Sequence, residues 1–591
     1  MDKRLLSGNE AIAAGAWEAG CAVGVGYPGT PSTETLEALV RYDDVTCEWA
    51  PNEKVALEVG LGAAIGGVRA LVTMKHVGVN VAADALMSAC NTGINAGLVL
   101  LAADDPSCYS SQNEQDSRFY ADFARIPCLD PADSAECREF TRAAFELSER
   151  FDTPVMLHET MRIAHTRTLV EGAGTREAVE PRPYEDNIGK YVMMPANAVR
   201  RRAVVDERTA ALEAYAETCP FNQVDLRSSE VGIICAGAVW QHVREALPEA
   251  STFKLGLSWP LPARALAKFA ASVERCYVVE EASPYFSLRV RALGIPVAEP
   301  PAGPLPVAGE LTPTLIETAF GVETPAHRAA EKDLPPRPPA FCPGCPHRLV
   351  FCELRRIKAV VTGDIGCYTL GAVAPYGSCH TVVDMGASLS MAHGMELADV
   401  SKRTGRPVIG VIGDSTFAHS GITSLLGTIY NGGVGTLCIL DNRTTAMTGT
   451  QGNPVNGVRL ADTRQRNRHP LDGTGHALDL PGLCRALGVE DVREVNAQDA
   501  SAIRAALKEA MTNKDQLSVI IFRAPCRLVE RTQGVVPTVT DCRACGACLK
   551  IGCPALGKDA NGHATIDPTQ CVGCDQCVQS CSFGCISKKE A

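Results

Sequence analysis

Short apolar runs alternate with segments of helical periodicity over most of the chain. Runs of this kind are typical of strands buried on both faces of a parallel sheet, and the periodic segments between them supply the crossover helices. The predicted strands are residues 23–27, 70–74, 98–102, 154–158, 231–235, 252–257, 276–280, 408–412, 436–440 and 517–522. The pattern therefore predicts an α/β protein built from doubly wound parallel sheets.

Two consecutive strands end in polar residues that are suited to metal and phosphate binding. One strand leads into Gly413-Asp414-Ser415, and the next leads into Asp441-Asn442. A right-handed βαβ crossover brings both ends to the carboxyl edge of the sheet, where ligands bind in such folds. Asp414 offers an anionic oxygen and Asn442 an amide oxygen, and Mg²⁺ prefers such ligands. Gly413 lets the backbone approach a phosphate, and the helix start after Ser415 attracts one.

This arrangement resembles the thiamine diphosphate signature, in which a Gly-Asp pair is followed by an Asn beyond the next strand. Here 28 residues separate Asp414 from Asn442. The resemblance implies that Asp414, Asn442 and the backbone carbonyl of Thr444 hold Mg²⁺. An ordinary βαβ unit with a Gly-Asp turn is the alternative. The further cofactor-binding candidates are Gly366, Gly413 and Ser415, the last of which stands where the signature usually has Gly.

A second candidate segment for binding thiamine diphosphate lies near the amino terminus. Asn52-Glu53 opens a helix rich in small residues, and the pattern Asn-Glu-x-x-Ala resembles the position that contacts the aminopyrimidine ring in thiamine enzymes. A carboxyl beside that ring favours the tautomer that can accept the C2 proton. Alternatively, Glu53 only stabilises its helix through a favourable interaction with the helix dipole, as any acidic residue in a first turn does. Because the diphosphate motif lies downstream, we assign Glu53 to the cofactor.

Composition and charge exclude several classes of protein. The 591 residues require several domains, and a net charge of −12 without a basic tract argues against nucleic-acid binding. The longest apolar runs are too short to cross a bilayer. Ser7 and Glu10 form a predicted capping box that opens a helix where a signal peptide would lie. We therefore expect a cytoplasmic protein, in which 26 cysteines indicate metal or cluster chemistry instead of disulfides.

The cysteines at the carboxyl terminus follow the spacing of a bacterial two-cluster ferredoxin. Three cysteines at two-residue spacing wrap one cluster, and the fourth cysteine of each run crosses to the other cluster. Zinc ribbons use two pairs instead of two triplets. Four residues instead of three precede Cys553, and Ser582 replaces the usual proline. One [4Fe–4S] cluster is assigned Cys542, Cys545, Cys548 and Cys581, and the other Cys553, Cys571, Cys574 and Cys577.

A third group of cysteines lies on loops at one predicted sheet edge. It comprises the C-x-x-C pair Cys342 and Cys345, Cys367 after a strand, and Cys526 after the last strand. Four thiolates could bind one [4Fe–4S] cluster or one zinc ion. We favour the cluster, because these loops lie at the edge predicted for the diphosphate, where a redox centre is useful. Cys352 and Cys379 are the alternative ligands.

These segments predict four domains. Residues 1–175 contact the aminopyrimidine, and residues 176–330 form a smaller α/β domain that resembles the transketolase C-terminal domain and lacks a metal or nucleophile cluster. Residues 331–530 bind the diphosphate and the proximal cluster, and residues 531–591 form the ferredoxin-like domain. The proline-rich stretch from Asp333 separates the second domain from the third.

Taken end to end, the chain resembles the large subunits of the indolepyruvate branch of the 2-oxoacid:ferredoxin oxidoreductases. The Met-Lys-His-Val-Gly motif and the fused ferredoxin module point to this branch over the pyruvate and 2-oxoglutarate branches. The segments that carry the resemblance are Gly26-Tyr27-Pro28-Gly29-Thr30-Pro31, Trp49-Ala50-Pro51-Asn52-Glu53-Lys54, Met74-Lys75-His76-Val77-Gly78-Val79-Asn80, Cys342-Pro343-Gly344-Cys345-Pro346-His347 and the terminal cysteine repeat.

The resemblance implies an enzyme that oxidatively decarboxylates arylpyruvates with coenzyme A and passes electrons to ferredoxin. It also implies a smaller β subunit, in a heterodimer or a dimer of heterodimers. Thr30 and Arg118 are the candidates for the substrate carboxylate. Lys75 and His76 follow a strand end and either reach the site or form a surface pair. The alternatives are another 2-oxoacid ferredoxin oxidoreductase, a non-oxidative thiamine decarboxylase, and an electron-transfer scaffold with an inactive thiamine fold.

Overall fold

The computed structural model of the chain describes residues 3–172, 174–323, 334, 338–465, 469–513 and 515–588. They belong to two compact units, residues 1–332 and 333–591. The predicted boundary at residue 330 and Asp333, which opens the proline-rich stretch, lie outside the described residues. The predicted boundaries at residues 175 and 530 stay predictions.

The first unit contains a seven-stranded sheet whose strands are parallel except at one edge. The strands predicted at 23–27, 70–74, 98–102 and 154–158 are confirmed within about two residues at each end. All seven residues of the strand Leu98–Asp104 are buried, as expected for the centre of a parallel sheet. In order across the sheet, the strands are Leu257–Trp259, Cys128–Leu129, Val155–Thr160, Leu98–Asp104, Ala70–Lys75, Val23–Gly26 and Thr46–Trp49.

A second, four-stranded sheet in the same unit comes from the middle of the chain. The single strand predicted at 252–257 divides at Gly256: Ser251–Leu255 stays in this sheet, and Leu257–Trp259 crosses to the edge of the seven-stranded sheet. Gly256 is needed at the crossing, because a Cβ there would lie 2.4 Å from the Phe221 carbonyl oxygen. The strand order is Arg275–Val278, Val231–Ala236, Ser251–Leu255 and Gln223–Asp225, the last antiparallel.

Helices cover the sheets of the first unit. The predicted capping box is confirmed: the Glu10 amide donates to Ser7 Oγ, and the Ser7 amide donates to the Glu10 carboxylate. Lys3–Ser7 also pairs antiparallel with Arg167–Glu171. The helices are Gly8–Glu18, Thr33–Leu39, Glu53–Ile65, His76–Val81, Ala83–Thr92, Arg118–Ala124, Ser134–Phe151, Met161–His165, Ile188–Tyr191, Pro195–Ala216, Gly237–Ala246, Ala263–Ala270, Tyr285–Ala292 and Pro313–Phe320.

The second unit is built on a five-stranded, fully parallel sheet. Side chains along its central strands alternate between two core clusters: Leu437 and Ile439 belong to one, and Cys438 and Leu440 to the other. Because both faces are covered, the predicted doubly wound architecture is confirmed for this unit. The strand order is Val360–Thr362, Val408–Gly413, Gly435–Asp441, Leu517–Arg523 and Asp491–Asn496.

The remaining elements of the second unit are short helices and two small antiparallel sheets near the carboxyl terminus. The helix Asp414–Thr416 continues through a π-helical turn, Phe417–Gly421, into Ile422–Tyr430. One sheet pairs Thr538–Val539 with Ile586–Ser587, and the other is a hairpin of Leu556–Lys558 and Ala564–Ile566. The other helices are His347–Arg356, Ala387–Leu397, Val400–Thr404, Leu480–Ala486, Ala500–Ala510 and Gln576–Ser580. Within the described parts of both units, no helix is long and apolar enough to cross a membrane.

Candidate active site

Parallel pairing brings the two candidate magnesium ligands of the second unit together. Gly413 pairs with Leu440 in the register of adjacent strands, so that Asp414 and Asp441 emerge side by side at the carboxyl edge. Asp414 is buried, and burial and the Asp441 carboxylate raise its pKa well above the usual value. Asn453 Nδ2 lies 3.5 Å from Asp414 Oδ2. A divalent cation would favour the ionised carboxylate here, which fits the expected metal.

Backbone and hydroxyl groups complete an oxygen-rich loop around Asp414. The Thr444 amide donates to Asn442 Oδ1 at 3.2 Å, and Thr445 Oγ1 donates to Ser415 Oγ at 2.9 Å. Asn453 Nδ2 also lies 3.4 Å from Thr445 Oγ1. The predicted residues Asp414, Ser415, Asn442 and Thr444 therefore gather in one place, and their oxygens fit Mg²⁺ and a diphosphate. Asn453 was not predicted, because nothing local marks a loop asparagine as a site residue.

The two glycine candidates for cofactor binding lie against an aromatic ring. A Cβ at Gly366 or at Gly413 would lie 2.5 Å from Tyr368 Cε1, so the ring fills the space beside both. Tyr368 Oη donates to the Ile365 carbonyl at 2.7 Å and lies 3.0 Å from Thr416 Oγ1. The missing side chain of Gly413 therefore makes room for Tyr368, and the approach of its backbone to a phosphate stays a prediction.

His347 is a further residue at this edge that the sequence did not single out. It begins the helix His347–Arg356, directly after the C-x-x-C loop, and its Nε2 lies 3.4 Å from Asn442 Nδ2. Burial lowers the pKa of His347 to about 4, so the imidazole is neutral at pH 7 and Nε2 can accept from the Asn442 amide. With the Asn442 amide nitrogen on His347, its oxygen is left to accept from the Thr444 amide.

In the first unit, Glu53 occupies a confined position at the start of its helix. Asn52 caps the helix by accepting from the Val55 amide at 2.9 Å, and Glu53 itself is buried. The Glu53 side chain passes directly over Gly78, where a Cβ would lie 2.6 Å from Glu53 Cγ. The glycine of the Met-Lys-His-Val-Gly motif therefore makes room for the Glu53 side chain.

Lys75 and His76 are buried, which excludes the alternative of a surface pair. Lys75 ends the strand Ala70–Lys75, its stem lies against Gly29, and its Nζ donates to the Ser110 carbonyl at 2.5 Å. Burial lowers the pKa of Lys75 to about 8, although Asp105 opposes this shift. Neither ring nitrogen of His76 has a hydrogen-bond partner among the described residues. Half-buried Thr30 follows Gly29 on the loop beside Lys75.

Arg118 has partners that do not support the expected role in binding the substrate. Its Nε and Nη2 donate to the two oxygens of Asp116 at 2.8 and 2.7 Å, and its Nη1 lies 3.7 Å from Asp130. The guanidinium also stacks 4.7 Å from the centre of the Phe286 ring. Asp116 thus already occupies one bidentate edge of the Arg118 guanidinium, and the expected role of Arg118 in binding the substrate stays a prediction.

The four predicted proximal cysteines influence one another electrostatically. Burial, together with the smaller effects of the Cys526 and Cys342 thiols, raises the pKa of Cys367 to about 11. The pKa of Cys345 is also raised, first by burial and then by Cys367 and Cys342. The Cys526 amide donates to the Asn442 carbonyl at 2.9 Å, which ties this group to the diphosphate edge. Of the rivals, Cys379 packs against Gly363, and Cys352 packs against the core of the terminal cysteine segment.

The eight terminal cysteines line two separate cavities in the predicted groups of four. As predicted, the fourth cysteine of each run lies with the other triplet: Cys581 lines the cavity of the first triplet, and Cys553 lines the cavity of the second. Cys585 lines the first cavity as an additional thiol. Four convergent thiols per cavity fit a tetrathiolate-bound cluster. The first cavity contains Cys542, Cys545, Cys548 and Cys581, and the second contains Cys553, Cys571, Cys574 and Cys577.

Two family models match the two units of this α/β fold. Residues 14–222 match the pyruvate flavodoxin/ferredoxin oxidoreductase, thiamine diphosphate-binding family, and residues 364–522 match the C-terminal thiamine pyrophosphate-binding domain of thiamine pyrophosphate enzymes. The fold and the site thus define a thiamine diphosphate-dependent oxidoreductase of 2-oxoacids.

Curated relatives narrow this class. Indolepyruvate oxidoreductase subunit IorA of Methanothermobacter marburgensis is 38% identical over 99% of this chain and 97% of its own length. The IorA subunits of Thermococcus kodakarensis and Archaeoglobus fulgidus are 36% and 37% identical, each over 98% of this chain and 96% of their own. The chain belongs to the family of indolepyruvate oxidoreductase subunits.

Relatives of another branch match much less of the chain. The 2-oxoglutarate synthase subunit KorA of Methanothermobacter thermautotrophicus is 30% identical over 29% of this chain and 47% of its own length. A solved 2-oxoglutarate:ferredoxin oxidoreductase from Magnetococcus marinus superposes with a TM-score of 0.46 at 18% identity, over 54% of this chain and 64% of its own. The full-length similarity to IorA, against the partial match to KorA, favours the indolepyruvate branch.

The contact between Glu53 and Gly78 gives a first prediction. In Gly78→Ala, the added methyl would meet the Glu53 side chain at 2.6 to 2.9 Å, so the carboxyl must move. A misplaced catalytic group can cost about a hundredfold in rate, and we expect kcat for indolepyruvate oxidation to fall by about that factor. Gly62→Ala is the matched control, because a Cβ there meets nothing within 4 Å. Equal rates for Gly78→Ala and Gly62→Ala would contradict the role of Glu53.

Proposed function

We propose that this chain is the thiamine diphosphate-binding and iron–sulfur subunit of an enzyme that oxidises arylpyruvates to aryl-acetyl-CoA. One arylpyruvate anion, one coenzyme A thiol and two oxidised ferredoxins give one thioester, one CO₂, two reduced ferredoxins and one proton. The observation that carries the proposal is the combination, in one unit, of the Asp414–Asn442 oxygen site with three groups of four cysteines. A non-oxidative decarboxylase has no use for these cysteines.

Each unit, taken by itself, carries candidate residues for thiamine diphosphate. When bound, thiamine diphosphate supplies an electron sink for the bond to the departing CO₂. Asp414, Asn442 and Thr444 would hold Mg²⁺, and Ser415 lies beside them for the diphosphate. Glu53 would hold the aminopyrimidine and exchange a proton with it, as its burial against Gly78 permits.

Three [4Fe–4S] clusters are assigned to the three cysteine groups. The convergence of four thiols in each terminal cavity supports this assignment, and a bound metal would deprotonate these cysteines although burial raises the pKa of the Cys367 and Cys577 thiols. The link between Cys526 and Asn442 supports a redox centre next to the diphosphate site over a structural zinc. The relatives are named subunits, so we also propose a smaller β subunit, in a heterodimer or its dimer, with ferredoxin as acceptor and the cytoplasm as location.

We assign the substrate carboxylate to Lys75 and Thr30. The expected partner, Arg118, is occupied by Asp116, whereas Lys75 forms no ion pair with a carboxylate among the described residues. A buried ammonium without a counterion is costly, and a bound carboxylate would stabilise it. Asp105, Cys108 and His76 are the titratable groups that act on Lys75, and Asp105 already accepts from the Tyr109 and Ser110 amides. His76 stays a candidate for contact with the substrate.

The activity itself is tested with the full chain and its partner subunit, expressed together and purified anaerobically. We expect reduction of a viologen dye that requires indolepyruvate or another arylpyruvate, coenzyme A and thiamine diphosphate together, because each takes part in the balanced reaction. Release of CO₂ and an aldehyde without coenzyme A or an electron acceptor would instead identify a non-oxidative decarboxylase. Pyruvate and 2-oxoglutarate are the control substrates.

Metal content tests the cysteine assignment. Three clusters require about twelve iron atoms per chain, and Cys345→Ser, Cys548→Ser and Cys574→Ser should each lower iron by up to about a third. Cys585→Ser is the matched control, since Cys585 lines the same cavity as the Cys542 group but is not one of the four predicted ligands. Iron and electron paramagnetic resonance signals are measured together. Zinc in place of iron, or an equal loss in Cys585→Ser, would overturn the assignment.

The role of Lys75 is tested by substitution and by pH. A charge-assisted hydrogen bond contributes about 1.5 to 3 kcal/mol, so Lys75→Met should raise KM for the arylpyruvate at least about tenfold, with a smaller effect on kcat. Lys75 is charged below its pKa of about 8 and neutral above it, so KM of the unmodified enzyme should rise between pH 7 and 9.

Two variants serve as references in that measurement. Lys75→Arg keeps its charge throughout this pH range, and its KM should stay flat with pH. Lys268→Met removes an exposed lysine and should leave KM unchanged. A KM in Lys75→Met equal to that of the unmodified enzyme would remove Lys75 from the site.

A further inference from the structure

Arg348 is the largest fully buried side chain of the chain among the residues described. It is the second residue of the helix His347–Arg356 and is 0% exposed. Its Nη2 donates to the carbonyl oxygens of Phe341 and Cys342 at 2.8 and 2.7 Å. Its Nη1 donates to the Ile551 carbonyl at 3.0 Å and lies 3.1 Å from Tyr376 Oη. The guanidinium is thus held by neutral oxygens.

No carboxylate accompanies this charge within the described part of the chain. Arg348 forms no ion pair there, and its Nε has no hydrogen-bond partner. Arg356, on the same helix, differs from Arg348: it is exposed, and its guanidinium lies 3.7 Å from the Glu353 carboxylate. An arginine cannot escape burial by deprotonation, so a buried guanidinium requires negative charge from another source.

Arg348 lies between two of the cysteine groups. On one side it holds the backbone of Cys342, and on the other that of Ile551, two residues before Cys553. The two groups also touch directly, since Gln576 Nε2 donates to the Cys345 carbonyl at 2.9 Å and Gly344 lines the second cavity.

We propose that Arg348 is a positioning residue that supplies one positive charge shared by two neighbouring iron–sulfur clusters and raises the reduction potential of both. The two clusters are those of the Cys342 group (Cys342, Cys345, Cys367 and Cys526) and the Cys553 group (Cys553, Cys571, Cys574 and Cys577), so the inference rests on the proposed function. The missing counterion of the guanidinium is then the negative charge of two tetrathiolate clusters.

The direction of the effect follows from electrostatics. A tetrathiolate-bound cluster gains one negative charge on reduction, and a fixed cation nearby stabilises the reduced form more than the oxidised form. Salt screens a buried charge only weakly. The Cys542 group (Cys542, Cys545, Cys548 and Cys581) makes no hydrogen bond or ion pair with Arg348 among the described residues. Its cluster therefore serves as an internal reference.

The test uses the full chain with its partner subunit, purified anaerobically, in a redox titration followed by electron paramagnetic resonance and iron analysis. In Arg348→Met we expect full iron and a reduced-to-oxidised ratio, at a fixed solution potential, about tenfold lower for two of the three clusters. The third cluster should titrate as before. Arg348→Lys keeps the charge and should restore most of the ratio, and Arg356→Met, on the same helix, should change none.

Each outcome decides the proposal. Unmodified protein without iron would show that the proposed function fails, and this inference with it. Full iron and unchanged titration of all three clusters in Arg348→Met would overturn the inference alone. If Arg348→Met loses iron, Arg348→Gln provides hydrogen-bond donors without charge. Loss of iron in the Met and Gln variants but not in Arg348→Lys supports a charge requirement, and loss in all three shows a purely structural clamp.

Discussion

Parallel pairing of Val408–Gly413, Gly435–Asp441 and Leu517–Arg523 is the constraint on which the second unit depends. In such a sheet all carboxyl ends lie at one edge, so Asp414, Asn442 and Cys526 must meet there although they are far apart in the chain. The amide of Cys526 donates to the Asn442 carbonyl, and this single bond joins the proposed metal-binding loop to a thiol loop. The closeness of the proposed diphosphate site to the Cys526 thiol is thus a consequence of sheet topology.

Buried charge without a protein partner is the second theme of the structure. The Asp414 carboxylate faces Asp441, the Lys75 ammonium faces a carbonyl, and the Arg348 guanidinium is surrounded by neutral oxygens. Each arrangement is unfavourable by itself, because the free-energy cost of removing an ion from water exceeds the stabilisation from hydrogen bonds to neutral groups. Each is relieved by a different proposed group: a divalent cation, a substrate carboxylate and anionic clusters.

Other buried ions are compensated within the protein, and the contrast separates scaffold from site. Arg118 is bound bidentately by Asp116, and His158 lies between Asp104 and Asp130, which together raise its pKa to about 10. Such closed networks fix the packing of the two sheets of the first unit. A side chain in a closed network has no remaining edge for a ligand, which is why the partner of an arginine matters more than its position in a motif.

The sequence by itself determined the long buried strands, the loop residues Asp414 and Asn442, the capping box at Ser7 and the grouping of the terminal cysteines, because these depend on local spacing and on the uniform geometry of parallel sheets. It left open whether Lys75 and His76 are buried, and it predicted one strand at 252–257 where there are two. Only the tertiary structure decided these points, and it alone revealed Asp116 against Arg118, Tyr368 against Gly413, His347 beside Asn442 and Arg348 between two cysteine groups. Burial and choice of partner depend on segments distant in the chain, whose approach no local pattern encodes.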